Sequence, residues 1–153
     1  MAFATTSDGV RLFYESAGQG APLVFVHEFG GNHWSWEPQV GYFSRRHQCI
    51  TFAARGYPPS DVPESVEQYS QARAADDIVD VMNAAGVEKA HIVGLSMGGF
   101  ACLHSGSDGG CFCRSAGCRA QRNSAARDVR QAFGRDPLCF ELDATGPGRC
   151  SHA

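Results

Sequence analysis

The chain has 153 residues, a formal net charge of -3 and a pI near 6.0, enough length for one domain with a sizeable core. That charge offers no basic surface for nucleic acid, and no apolar run approaches the ~20 residues of a membrane helix. The start, MAFATTSDGV, lacks a basic stretch followed by an apolar one, so a soluble, cytoplasmic chain with no membrane partner is the expectation.

In chain order, FATTSDGVRLFYESAG reads as a hairpin whose turn contains Asp8-Gly9. PLVFVHE (22–28) is a short apolar run suited to a strand buried on both faces. NHWSWEPQVGYFSRRH (32–47) places Trp36, Val40 and Phe43 at helical spacing. CITFAAR (49–55) is a second buried strand, and GYPPSDVPES is a Pro-rich loop. The stretch 69–86 predicts a helix with Ile78, Val81, Met82 and Ala85 on one stripe and Gly86 at its C-terminal cap. AHIVGLS (90–96) is a third buried strand, and MGGFACLH opens another helix. This rhythm predicts an α/β fold, a mostly parallel sheet with helices on both faces.

After residue 104 the composition changes. Residues 1–104 hold 20 Val, Ile, Leu or Met, whereas 105–153 hold three: Val129, Leu138 and Leu142. Gly, Ala, Arg, Ser and Cys make up 31 of those last 49 residues, too little apolar area to offset the entropy of ordering them. The chain therefore divides into a folded part, 1–104, and a tail, 105–153, expected to be disordered. Abrupt enrichment in these residues is what GC-rich DNA gives when read out of frame, and a frame-shifted tail is the simplest reading. Five of the seven cysteines fall in the tail. CFC with Cys118 lacks the paired C-x2-C knuckles of a zinc site, so no metal is expected, and without an export signal neither is a disulfide scaffold.

The segment GLSMGG (94–99) contains G-x-S-x-G: Gly94, Ser96 and Gly98. It lies between a predicted strand and a predicted helix, the context this nucleophile turn requires. Small residues two positions either side of Ser96 leave room for the crossing backbone, and the N–H of Met97 can face a developing oxyanion. The plain alternative is a strand-to-helix turn with Ser96 as an ordinary N-cap. HEFGGN (27–32) follows the first buried strand, and its glycine-bearing loop can supply a second donor, the N–H of Phe29.

The leading hairpin, VFVHEFGGN, ARGYPPSD, the helix at 69–85 and HIVGLSMGGF resemble, in order and spacing, the N-terminal half of an α/β-hydrolase. The resemblance covers residues 1–104. Within that superfamily, GLSMGG with a serine is similar to esterases, enol-lactonases and carbon–carbon bond hydrolases. Haloalkane dehalogenases and soluble epoxide hydrolases of this fold carry an aspartate there. The resemblance implies attack by Ser96 on a small ester or lactone, an acyl-enzyme, and no cofactor. The family often has His-Gly where this chain has His27-Glu28.

In that family an acid and then a histidine follow the nucleophile. His27, His33, His47 and His91 precede Ser96. His27 is expected to shape the oxyanion loop, His33 and His47 to be surface or capping residues, and His91 to be structural. His104 would point away along the helix. The acid and base remain open, with Asp136, Asp143 and His152 as candidates and an inactive remnant as the alternative. About three further family strands and a lid are not legible, so the 90–95 strand is expected to end the sheet and expose an edge for self-association.

Overall fold

The computed structural model describes residues 2–105 and the backbone of residues 138–143. Six strands form one sheet: β1 (Ala2–Thr5), β2 (Arg11–Ala17), β3 (Ala21–Val26), β4 (His47–Phe52), β5 (Lys89–Gly94) and β6 (Leu138–Asp143). Their spatial order is β1-β2-β4-β3-β5-β6. The three central strands β4, β3 and β5 run parallel, and β1, β2 and β6 join antiparallel at the two margins. The sheet is thus mixed, parallel at its centre as the buried apolar runs predict.

Strand alternation sorts the core into two layers. Leu23 and Phe25 of β3 face Trp36, Phe43, Cys49 and Val93. Val24 and Val26 face Ile50, Ile78, Val81, Met82 and Ile92 on the other side. The first layer is covered by a 3-10 turn (His33–Trp36) running into helix α1 (Glu37–Phe43). The second is covered by α2 (Gln71–Ala84) and α3 (Met97–Ser105). Helices therefore lie on both faces. Each aliphatic side chain fully buried between them contributes roughly 1.5–3 kcal/mol.

Local sequence explains the boundaries. Gly9 in the β1–β2 turn has φ +86 and supplies the left-handed step. Helix α2 starts where the Ser70 hydroxyl accepts from the Arg73 N–H at 3.0 Å. It ends in paired back-bonds, Gly86 N–H to Asn83 C=O at 3.1 Å and Val87 N–H to Met82 C=O at 2.9 Å. Gly86, at φ +70, takes the left-handed position this termination needs. The single helix expected over 32–47 is shorter. Asn32 caps a 3-10 turn through the Trp34 N–H, and Pro38 sits in the first turn of α1.

Two expectations are corrected at β5. The 90–95 strand does not end the sheet, because β6 pairs along its whole length, Leu138 opposite Gly94 and Asp143 opposite Lys89. The edge proposed for self-association is therefore occupied. The 105–153 segment accordingly contributes a strand. LCFELD alternates Leu138, Phe140 and Leu142 with more polar residues, a period-2 pattern. Pro137 comes before the strand in sequence and so does not interrupt it. Residues 106–137 and 144–153, with Asp136 and His152, lie outside the described residues.

One polar cluster is buried within this frame. The Arg55 side chain is 4% exposed, and all five of its N–H groups are taken. Asp77 of α2 accepts two at 2.7 Å, Asp8 of the hairpin turn accepts two at 2.9 and 3.1 Å, and the Gln68 carbonyl accepts one at 2.7 Å. A guanidinium so completely paired can be buried without an orphaned donor.

Candidate active site

The chain turns from β5 into α3 through Leu95 and Ser96. Ser96 has φ +50, the one positive φ at a non-glycine among the described residues. An ordinary Ser N-cap is extended, so the left-handed backbone here argues against that reading. Such a conformation costs a residue with a Cβ on the order of 1–2 kcal/mol and persists only where surroundings over-determine it. The surroundings are visible. Leu95 N–H bonds to Val26 C=O at 3.2 Å, Gly98 N–H to Leu95 C=O at 2.9 Å, and Phe100 N–H to Ser96 C=O at 3.0 Å.

The two flanking glycines are required by close approach. A Cβ on Gly94 would lie 2.6 Å from the Gly98 carbonyl, and one on Gly98 would collide with the carbonyl oxygen of Val26. Only glycine lets the turn pack this tightly against itself and against the end of β3. The result leaves Ser96 exposed at the C-terminal end of β5. Met97 opens α3, so its N–H is one of the four that a helix leaves without an intrahelical acceptor.

Pairing of Val26 with Gly94 sets the loop after β3 beside this turn. His27 is fully buried, and both its ring nitrogens are engaged. Nε2 accepts from the Ala54 N–H at 3.0 Å, which leaves Nδ1 protonated to donate to the Glu28 carbonyl at 2.7 Å. Burial lowers its pKa and favours this neutral form. His27 thus shapes the loop, as expected, and has no nitrogen left to serve as a base. The Glu28 carbonyl also accepts from the Gly31 N–H at 3.1 Å. The Glu28 side chain folds over Gly31, where Oε1 accepts from the Ser35 hydroxyl at 3.2 Å. Phe29 is 76% exposed and its carbonyl accepts from the Tyr57 hydroxyl at 2.6 Å. Sequence reasoning did not single out Tyr57; its sole signal is its place in ARGYPPSD, the loop after β4.

The other histidines fall elsewhere. His33 and His47 are buried, correcting their expected surface role. The His33 ring packs on Phe13, and His47 lies against Phe43 at the start of β4, the end of the sheet remote from Ser96. His91 is a buried strand residue, as expected. His104 sits eight residues after Ser96 on α3, about 12 Å along the axis. Asp143 is opposite Lys89, at the far end of β5, so strand register separates it from Ser96. No group of three or more His, Cys, Asp or Glu among the described residues could hold a metal ion. Cys49 and Cys102 are buried, and burial pushes the Cys49 thiol up to about 11, which makes it unreactive. No described helix is long and apolar enough to cross a membrane.

These features agree with what the chain is similar to. A family model described as the alpha/beta hydrolase fold matches residues 21–108. The 3-oxoadipate enol-lactonase 1 of Acinetobacter baylyi is 35% identical over 89 residues, 58% of this chain and 32% of that enzyme. Epoxide hydrolase 3 of Mus musculus is 38% identical over 94 residues, 60% of this chain and 26% of that enzyme. Among solved structures, Est816, described as an N-acyl homoserine lactone degrading enzyme, superposes with a TM-score of 0.65 at 35% identity. That match covers 71% of this chain and 40% of the other. The chain spans less than half the length of each of these relatives.

Proposed function

The chain belongs to the alpha/beta hydrolase fold family, and from that premise we propose that Ser96 is the nucleophile of an acyl transfer that hydrolyses a small carboxylic ester or lactone. The observation that carries the reading is the left-handed backbone of Ser96 at an exposed strand-to-helix turn flanked by Gly94 and Gly98. In this reading Ser96 Oγ attacks the acyl carbon as a base removes its proton. The carbonyl oxygen becomes an oxyanion facing the N–H groups of Met97 and Phe29. Collapse expels the alcohol, which takes up the proton, and water then releases the acid from Ser96. Similarity to an enol-lactonase and to a lactone-degrading enzyme supports the ester or lactone class. Similarity to epoxide hydrolases is weaker support for their chemistry, since a serine stands at the elbow of this chain. Asp136 and His152 are the remaining candidates for acid and base.

A fluorophosphonate probe tests the reading. Wild-type protein is expected to be labelled at Ser96 and Ser96→Ala to lose all labelling; a folded wild type that stays unlabelled rejects it. One observation favours a second reading, a non-catalytic remnant: both nitrogens of His27 are committed, and strand register carries Asp143 away from the elbow. That reading predicts no labelling and no ester hydrolysis above the Ser96→Ala level.

A further inference from the structure

We propose that Tyr57 is a positioning residue for the oxyanion loop, holding the Phe29–Gly30 peptide in place beside Met97; this rests on the reading of Ser96 as the acyl acceptor. A trans peptide is planar, with its C=O and N–H pointing in opposite directions. Whatever grips a carbonyl therefore aims the amide that shares its plane. The Glu28 carbonyl is gripped by the His27 Nδ1–H and the Gly31 N–H, which turns the Phe29 N–H away from both. The next plane, Phe29–Gly30, is gripped by the Tyr57 hydroxyl at 2.6 Å. The two planes that meet at Phe29 are thus fixed independently, one from β3 and one from the loop after β4.

Among the described residues no second hydrogen bond reaches this plane itself, and the Gly31 N–H to Glu28 C=O bond spans it from outside. The Phe29 side chain is 76% exposed, and its ring meets the Tyr57 ring edge-on with centroids 6.5 Å apart, a contact that Tyr57→Phe keeps. Gly30 has open space around its α-carbon, and Gly31 follows it, so the backbone there is permissive. Tyr57 itself is well seated. Its ring meets His27 edge-on, with centroids 4.7 Å apart, and His27 is locked by its own two bonds. The same hydroxyl lies 3.9 Å from Met97 Sδ. One side chain therefore touches both residues whose amides the reaction uses. Burial raises the phenol's pKa and keeps it a donor at neutral pH.

The experiment compares wild type, Tyr57→Phe and, as a control, Tyr69→Phe, which loses a hydroxyl bonded to the Pro63 carbonyl and not to Phe29. Two readouts are taken on the full chain: the rate of Ser96 phosphonylation, and the 15N resonance of Gly30, the amide in the plane Tyr57 grips. Tyr57→Phe is expected to slow phosphonylation about tenfold, less than deleting an oxyanion donor outright, and to shift Gly30 more than any amide outside the neighbourhood of Phe29 and Tyr57. Tyr69→Phe is expected to do neither. Phosphonylation of Tyr57→Phe at the wild-type rate, or an unmoved Gly30 resonance, overturns the proposal. If wild type itself is not labelled, the acyl-acceptor reading fails separately, and the Gly30 resonance alone decides whether Tyr57 positions the loop.

Discussion

A serine with φ +50 is held against its own preference, and the holding is done by neighbours without side chains. This gives a test that separates strain from chemistry. Ser96→Ala and Ser96→Gly both remove the hydroxyl, but only glycine relieves the backbone. Ser96→Gly is expected to be more stable than Ser96→Ala by about 1 kcal/mol, since a Cβ at a left-handed position costs about that much. Urea midpoints of the two variants check it. Gly98→Ala should act in the opposite sense. Its methyl would meet the Val26 carbonyl, a backbone group that cannot yield cheaply. Destabilisation of about 1–3 kcal/mol is expected, with loss of Ser96 labelling because the turn must open.

At the scale of elements, the Gly86 termination of α2 and the Ile78 stripe make separable contributions. Gly86→Ala forces a Cβ into φ +70 in open space, so its cost is conformational alone, about 1 kcal/mol. Ile78→Ala empties part of a fully buried layer, for about 2–5 kcal/mol. Thermal unfolding of the two variants should rank them in that order. Both features were readable before the fold was known, because a helix stripe and a cap glycine are local signals. So were β3, β4 and β5, whose short, mainly apolar runs reflect burial on both faces. The 3-10 turn at His33–Trp36 was not, since Asn32 and Pro38 compete with a spacing that looks wholly helical. Strand β6 was hidden by Pro137 at its doorstep. The elbow could be read from Gly94, Ser96 and Gly98, whereas Tyr57 could not. Its bond to Phe29 spans 28 residues, and no periodicity encodes a contact of that range.

At the scale of the whole molecule, the ion cluster around Arg55 contributes acid sensitivity through Asp8. Hydrogen bonds from Arg55 hold the Asp8 carboxyl well below the usual carboxylate range. A depressed native pKa stabilises the fold above the unfolded value, about 3.9, and that contribution is lost as the pH falls below it. Asp8→Asn is therefore expected to be less stable than wild type at pH 7, by about 1–3 kcal/mol. The gap should narrow below pH ~4, as urea melts across pH would show.

The same guanidinium bears on where a minimal folding fragment can be cut. The family match begins at residue 21, after the β1–β2 hairpin. A fragment trimmed to that boundary would keep Arg55 and Asp77 and discard Asp8. Two of the five N–H groups would then lose their acceptor inside the protein, and the sheet would lose the buried Ala4 and Leu12. The hairpin is thus no detachable leader. It carries one of the two counter-ions of a charge buried some 50 residues downstream, and an excision guided by family homology alone would strip that guanidinium of two of its five acceptor contacts.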